Sequence, residues 1–225
     1  MGLHRAWPDA MITGVDLHPQ KNYPFNFVQA DAMEYPLDGF DFIWASPPCQ
    51  KFTALRTMPN AKSHADLLTP TRERLRGIPY CIENVEGAPM FPPVLILCGT
   101  MFGLTTKDGR AELRRHRIFE TSFPVGLTPP CNHNGHLVIG SYGGHGRDRR
   151  RTVGVYGDSA GISHARKRSI GVWGHAGGSS VRDGTQQFST EQRREAMGIS
   201  WMNGNELSQA VPPAYSEFIA RQVRF

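Results

Sequence analysis

The sequence predicts an α/β fold built on an open, mostly parallel sheet. Two observations carry this. Short apolar runs alternate with helical or loop connections through residues 1–100, the pattern of strands separated by crossovers. Each early run is also followed by polar residues with chemistry to offer: Asp16, Asp31, Cys49 with Gln50, and Glu83 with Asn84. Ligands of open parallel sheets bind beyond the carboxyl ends of the strands, so these residues are expected along one edge.

The elements follow in order. DAMITGVDL sets Met11, Ile12 and Val15 in a strand that ends at Asp16. FNFVQADA gives a second strand over Phe25 to Val28, with Asp31 just past it, and FDFIWA a third over Phe40 to Ala45. PTRERLRG reads as a short helix stopped by Gly77. IPYCIENVEG is a fourth strand ending near Glu83 and Asn84, and PVLILCG a fifth. Residues 132–187 are rich in Gly, His, Arg and Ser, and contain two similar pieces, VGVYGDSAG and IGVWGHAGG. They predict a small irregular β lobe. Order returns after residue 188. Ser189 and Gln192 have capping-box spacing, with Gly198 as the stop. VPPAYSEFIARQV starts a helix on prolines and puts Tyr215, Phe218, Ile219 and Val223 on one face. The expected organisation is a catalytic body at 1–131, a variable region at 132–187, and helices at 188–225 returning to the body.

Composition excludes several classes. No apolar run is long enough to cross a bilayer, and MGLHRAWPDA is not a signal peptide. A cytoplasmic address is the expectation. Four cysteines in 225 residues do not form a disulfide framework. Charge is asymmetric: residues 1–100 carry 8 basic and 10 acidic side chains, residues 101–225 carry 17 and 10. Two basic runs stand out, with Arg147, Arg149, Arg150 and Arg151 in the first and Arg166, Lys167 and Arg168 in the second. A neutral-to-acidic body with a basic second half fits a polyanion-binding surface; two solvated basic loops would give the same pattern.

Cys49 follows Pro47 and Pro48, which impose an extended backbone and remove two N–H donors. The thiol is thereby held beyond its strand, suited to act as a nucleophile; a small apolar residue in a turn is the plain alternative. Glu83, among Tyr80, Ile82 and Val85, is expected to have a raised pKa and to serve as a proton donor. Asp16 and Asp31 suit the ribose hydroxyls and adenine amino group of a nucleotide-type ligand, or are ordinary loop carboxylates. In ELRRHRIFE, strand periodicity sets Arg115 and Arg117 on one face, fit for a phosphate or a base oxygen, unless this is a solvated edge strand. CNHNGH offers Cys131, His133 and His136. Three such residues fall short of the four ligands of a closed zinc site, and no CxxC pair accompanies them, so a polar loop and no metal are expected.

SPPCQ, IENV, RRHRIF and QAVPP, in this order, resemble the motifs of the DNA (cytosine-5)-methyltransferases. Pro48–Cys49–Gln50 matches the nucleophile motif and Glu83–Asn84–Val85 the Glu-Asn-Val motif. Arg115 and Arg117 match the arginines of Gln-x-Arg-x-Arg, and Ala210 to Pro213 most of Gly-Asn-Ala-Val-Pro-Pro. The resemblance spans nearly the whole chain. It implies a Rossmann-like S-adenosylmethionine-dependent sheet with a small target-recognition lobe. It further implies methyl transfer to C5 of cytosine in double-stranded DNA through a covalent Cys49 adduct.

On that resemblance, Glu83 acts at N3 of the base, Arg117 at its oxygen, and Arg115 steadies the site. Asp16 with Leu17, Asp31 with Ala32, and Pro48 hold the cofactor. Gln50 and the two basic runs bind nucleic acid. A monomer without membrane attachment is expected. The chain departs from the family in several places. The Gly-rich Asp-x-Phe-x-Gly-x-Gly loop is missing, and MGLHRAW resembles the helix that follows it, so the sequence is expected to start inside the first motif. Leu113 stands where the family has Gln, and Ser208 and Gln209 where it has Gly-Asn. The implied version is a small, phage-like or mobile-element one. Two other readings stay open: a catalytically impaired DNA-binding descendant or fragment, and an enzyme of the same chemistry acting on RNA.

Overall fold

A computed structural model describes residues 1–52, 64–133, 137–142, 169–173 and 188–225. In chain order the elements are α1 (Gly2–Ala6), β1 (Thr13–Asp16), β2 (Asn26–Gln29), β3 (Ile43–Ala45), α2 (Leu68–Arg74), β4 (Tyr80–Asn84) and β5 (Val94–Leu97). They continue with β6 (Ala111–Leu113), β7 (Arg117–Thr121), β8 (Leu137–Tyr142), β9 (Ser169–Trp173), α3 (Thr190–Met197), α4 (Gly204–Gln209) and α5 (Pro213–Ala220).

The fold is mixed α/β. Its central sheet has the order β3-β4-β7-β5. β3 and β4 are parallel, and β7 is antiparallel to both β4 and β5. β3, β4 and β5 therefore run the same way, as the sequence predicts, while β7 enters between two of them in the opposite sense. The alternative of a solvated edge strand fails for a simple reason. Ile118, Phe119, Glu120 and Thr121 are all buried, and a strand buried on both faces lies inside a sheet. The expectation of one open sheet is also corrected: β1 and β2 form a separate parallel pair, and β6, β8 and β9 a third, parallel sheet. The predicted β lobe is described only at β8 and β9; VGVYGDSAG lies outside the described residues.

The central sheet is covered on two sides. On one, Ile82 of β4 packs with Phe52, Leu68, Leu75 and Val85. On the other, Cys81 packs with Leu95, Leu97 and Phe119 against Tyr215 and Ile219 of α5. Adjacent strand residues point to opposite faces, so Cys81 and Ile82 anchor the two layers from one strand. α5 begins on Pro213, whose missing N–H costs nothing at a first helical position. α3 has the predicted capping box: Gln192 N–H donates to Ser189 Oγ at 3.1 Å and Ser189 N–H to Gln192 Oε1 at 2.9 Å. Gly198 closes it at φ +66°.

α1 links the strand pair to the body. His4 lies against Phe25, with ring centroids 5.5 Å apart, and Trp7 against Phe42 at 5.3 Å. A Cβ on Gly2 would stand 2.0 Å from Ser216 Oγ and 2.2 Å from the Pro213 carbonyl oxygen, so α1 meets α5 at a distance only glycine permits. Among the described residues no helix is long and apolar enough to cross a membrane.

Candidate active site

Parallel strands deliver their carboxyl ends to one edge, and an antiparallel neighbour brings its start there. Cys49 follows the end of β3, Glu83 and Asn84 end β4, and Arg117 begins β7. These three elements, distant in sequence, meet at one corner of the sheet.

The Pro47–Pro48 loop is tied down by its neighbour. Asn84 Nδ2 donates to the Pro47 carbonyl at 3.1 Å, while Asn84 Oδ1 accepts from Val85 N–H at 2.9 Å. Phe52 N–H donates to the Cys49 carbonyl at 2.9 Å. Cys49 is half-buried and packs on the cluster around Ile82. Burial pushes its thiol pKa up. The cationic Arg117 and Arg115 pull it down and Glu83 pushes it further up. The net effect is upward, so the resting group is the thiol. A nucleophilic role then requires that its proton be removed or the balance of charge around it be changed.

Glu83 is buried and forms an ion pair with Arg117, Nε to Oε1 at 2.8 Å. The expected proton donor is thus a carboxyl engaged by a guanidinium. Arg117 also donates from an NH group to the His116 carbonyl at 2.9 Å. Arg115 precedes β7 instead of lying in it, and is almost fully enclosed at 1% exposure. It donates to the Ser208 carbonyl at 2.9 Å, and its own carbonyl accepts the Tyr215 hydroxyl at 2.6 Å. The two arginines do not share a strand face; both act on Cys49 through their charge. Ser208 and Tyr215 were not among the predicted site residues. Their contribution is a backbone carbonyl and a hydroxyl that fix Arg115.

Asp16 and Asp31 close the parallel pair β1–β2, where Asp16 is in register with Gln29. Asp16 accepts from His18 N–H at 2.7 Å and from Gln20 Nε2 at 3.2 Å; Asp31 accepts from Met33 N–H at 2.8 Å. Leu17 is exposed, and its carbonyl accepts from Gln29 Nε2 at 3.0 Å. Ala32, Pro48 and Gln50 are exposed. Arg147, Arg149, Arg150, Arg151, Arg166, Lys167, Arg168 and His136 lie outside the described residues.

Two further features belong to other parts of the surface. A cleft of about 650 Å³, lined by Arg72, Tyr80, Phe91 and Arg224, opens at the start of β4, the end opposite Glu83. Next to Arg117, Cys98 and His116 join Cys131 and His133 in one cluster. In sequence the last two stand beside His136, where a polar loop without metal is expected. A scan against protein-family models found no match, and a search of curated proteins found none either.

Proposed function

We propose that the protein transfers a methyl group from S-adenosylmethionine to C5 of cytosine in DNA. The observation that supports this most is the meeting of Cys49, Glu83 and Arg117 at one sheet edge. A thiol, a carboxyl and a guanidinium match the polar demands of a cytosine ring at C6, N3 and O2. The α/β architecture, with parallel strand ends carrying the polar groups, is compatible with a Rossmann-like methyltransferase sheet.

In this reading the target base leaves the duplex stack and enters the edge. Cys49 loses its proton and its sulfur bonds to C6, moving the C5–C6 electron pair to C5. Glu83, carrying a proton, donates it toward N3, and with Arg117 at O2 this neutralises the negative charge that builds on the ring. S-adenosylmethionine, when bound, supplies the electrophilic methyl group that C5 takes. Loss of the C5 proton restores the double bond and expels the Cys49 thiolate. Arg115, fixed by Ser208 and Tyr215, keeps positive charge beside the sulfur.

The donor set fits the adenosine half of that cofactor. Asp16 and Asp31 stand at the ends of two adjacent parallel strands, and a carboxylate has lone pairs beyond the two that Asp16 uses in its own loop. Asp16 would hold the ribose and Asp31 the adenine amino group, beside Leu17, Ala32 and Pro48. The basic second half supplies phosphate contacts.

The test is transfer of labelled methyl from S-adenosylmethionine to mixed-sequence duplex DNA. Label in DNA with the native chain and none with Cys49→Ala supports the reading. No label from a folded chain that still binds DNA overturns it in favour of a binding-only role.

A further inference from the structure

We propose that Cys98, His116, Cys131 and His133 form a tetrahedral site for one structural zinc ion. The register of the sheet builds half of it. β5 and β7 are antiparallel with Leu97 opposite Arg117, so the residue after β5, Cys98, meets the residue before β7, His116. The segment leaving β7 returns to the same point with Cys131 and His133.

The ligand atoms all lie within 4.8 Å of one another. Cys98 Sγ is 3.5 Å from His133 Nε2; Cys131 Sγ is 3.5 Å from His116 Nε2 and 3.1 Å from His133 Nε2. Zinc bond lengths of about 2.3 Å to sulfur and about 2.0 Å to nitrogen give tetrahedral sulfur–nitrogen edges of roughly 3.6 Å. The three edges lie at or slightly below that value, and binding needs only small shifts of the side chains. The two imidazoles meet edge to face at 76°, centroids 5.2 Å apart, which leaves each Nε2 pointing inward without a ring clash. Thr100 Oγ1 lies 3.4 Å from Cys98 Sγ and 3.6 Å from Cys131 Sγ. A hydroxyl that serves both sulfurs is the kind of outer contact that steadies thiolates on a metal.

Chemistry selects the ion. Two sulfurs and two imidazoles reject calcium and magnesium, which take oxygen ligands. Ligand atoms this close enclose one ion; an iron–sulfur cluster would spread them around two irons. A Cys98–Cys131 disulfide would leave the convergence of both imidazoles without a purpose. The ion would clasp the segment leading to β8 onto the strand ends beside the active-site corner. It would also fix His116, which lies between Arg115 and Arg117. The site stands on this geometry and does not depend on methyl transfer.

The experiment uses the full chain, purified under reducing conditions. Metal analysis should find one zinc per chain. After chelation, cobalt(II) should bind in equal ratio, with thiolate charge-transfer and tetrahedral ligand-field bands. Cys131 is exposed and His133 partly so, so Cys131→Ser and His133→Ala should fold yet bind metal more than ~100-fold less tightly. His136→Ala should bind as the native chain does. The proposal is overturned if the native chain takes up neither metal, if cobalt binds without thiolate bands, if Cys131→Ser binds normally, or if His136→Ala loses the ion.

Discussion

Arg117, the first residue of β7, reaches Glu83 near the end of β4 with Nε 2.8 Å from Oε1. The pair sets opposite charges beside the Cys49 thiol, Arg117 favouring the thiolate and Glu83 opposing it.

Cys49 reactivity should therefore follow the pair. With burial holding its pKa above the ordinary value of 9.0, alkylation by iodoacetamide should rise about tenfold from pH 7 to about pH 8. Glu83→Gln should speed alkylation several-fold, and Arg117→Ala should slow it by a similar factor. Mass spectrometry of the Cys49 peptide separates it from Cys131, the exposed cysteine. The two rates moving together would contradict the charge balance described.

Asn84 makes a different contribution, since its amide holds the Pro47 carbonyl at 3.1 Å. Asn84→Asp replaces that donor with an acceptor facing an acceptor. The loop should shift and methyl transfer fall by about 10²-fold, the usual cost of a 1 Å misplacement. Thermal unfolding run alongside shows whether the chain stays folded.

A buried two-point ion pair supports stability at the other end of the sheet. Glu120 accepts from Arg72 Nε at 2.7 Å, from a second Arg72 nitrogen at 2.8 Å, and from Phe91 N–H at 2.8 Å. Burial pushes the Glu120 carboxyl up, but Arg72, the Phe91 amide and Tyr80 together hold it below its ordinary value of 4.5. Its contribution is then complete above about pH 4.5 and lost as pH falls through the lower folded value. Glu120→Gln should cost about 3 kcal/mol at neutral pH, and the gap to the native chain should narrow below about pH 4.5. Urea titrations at several pH values measure this.

Docking of α1 depends on Gly2. Gly2→Val sets a Cβ 2.2 Å from the Pro213 carbonyl, a backbone atom that Ser216→Ala cannot relieve. The double variant should stay destabilised by about 1–3 kcal/mol, read from thermal midpoints.

Much of this was legible in the sequence, where it depended on local pattern. Strand ends announced themselves as apolar runs followed by Asp16, Cys49 or Glu83, and Ser189 with Gln192 marked a helix start through residues three apart. What depended on pairing between distant segments was not legible. The central place of β7, against the alternative of an edge strand, follows from its partners, β4 and β5. The ion pair of Glu83 with Arg117 has the same origin. So has the Cys/His cluster: Cys98 and His116 sit apart in the chain and meet because β5 and β7 are antiparallel. Cys131–Asn132–His133 was visible, yet nothing local linked it to Cys98. Pairing β5 with β7 from their apolar runs would have exposed the cluster.

Methyl transfer to C5 requires that Cys49 bond to C6 of a cytosine. Duplex DNA carrying 5-fluorocytosine tests it most directly, because fluorine cannot leave C5 as the proton does, and the adduct persists. Incubation with S-adenosylmethionine, digestion and mass spectrometry should find the modified base on the Cys49 peptide, and nothing in Cys49→Ser. No adduct, or one on Cys131 instead, would rule out Cys49 as the nucleophile.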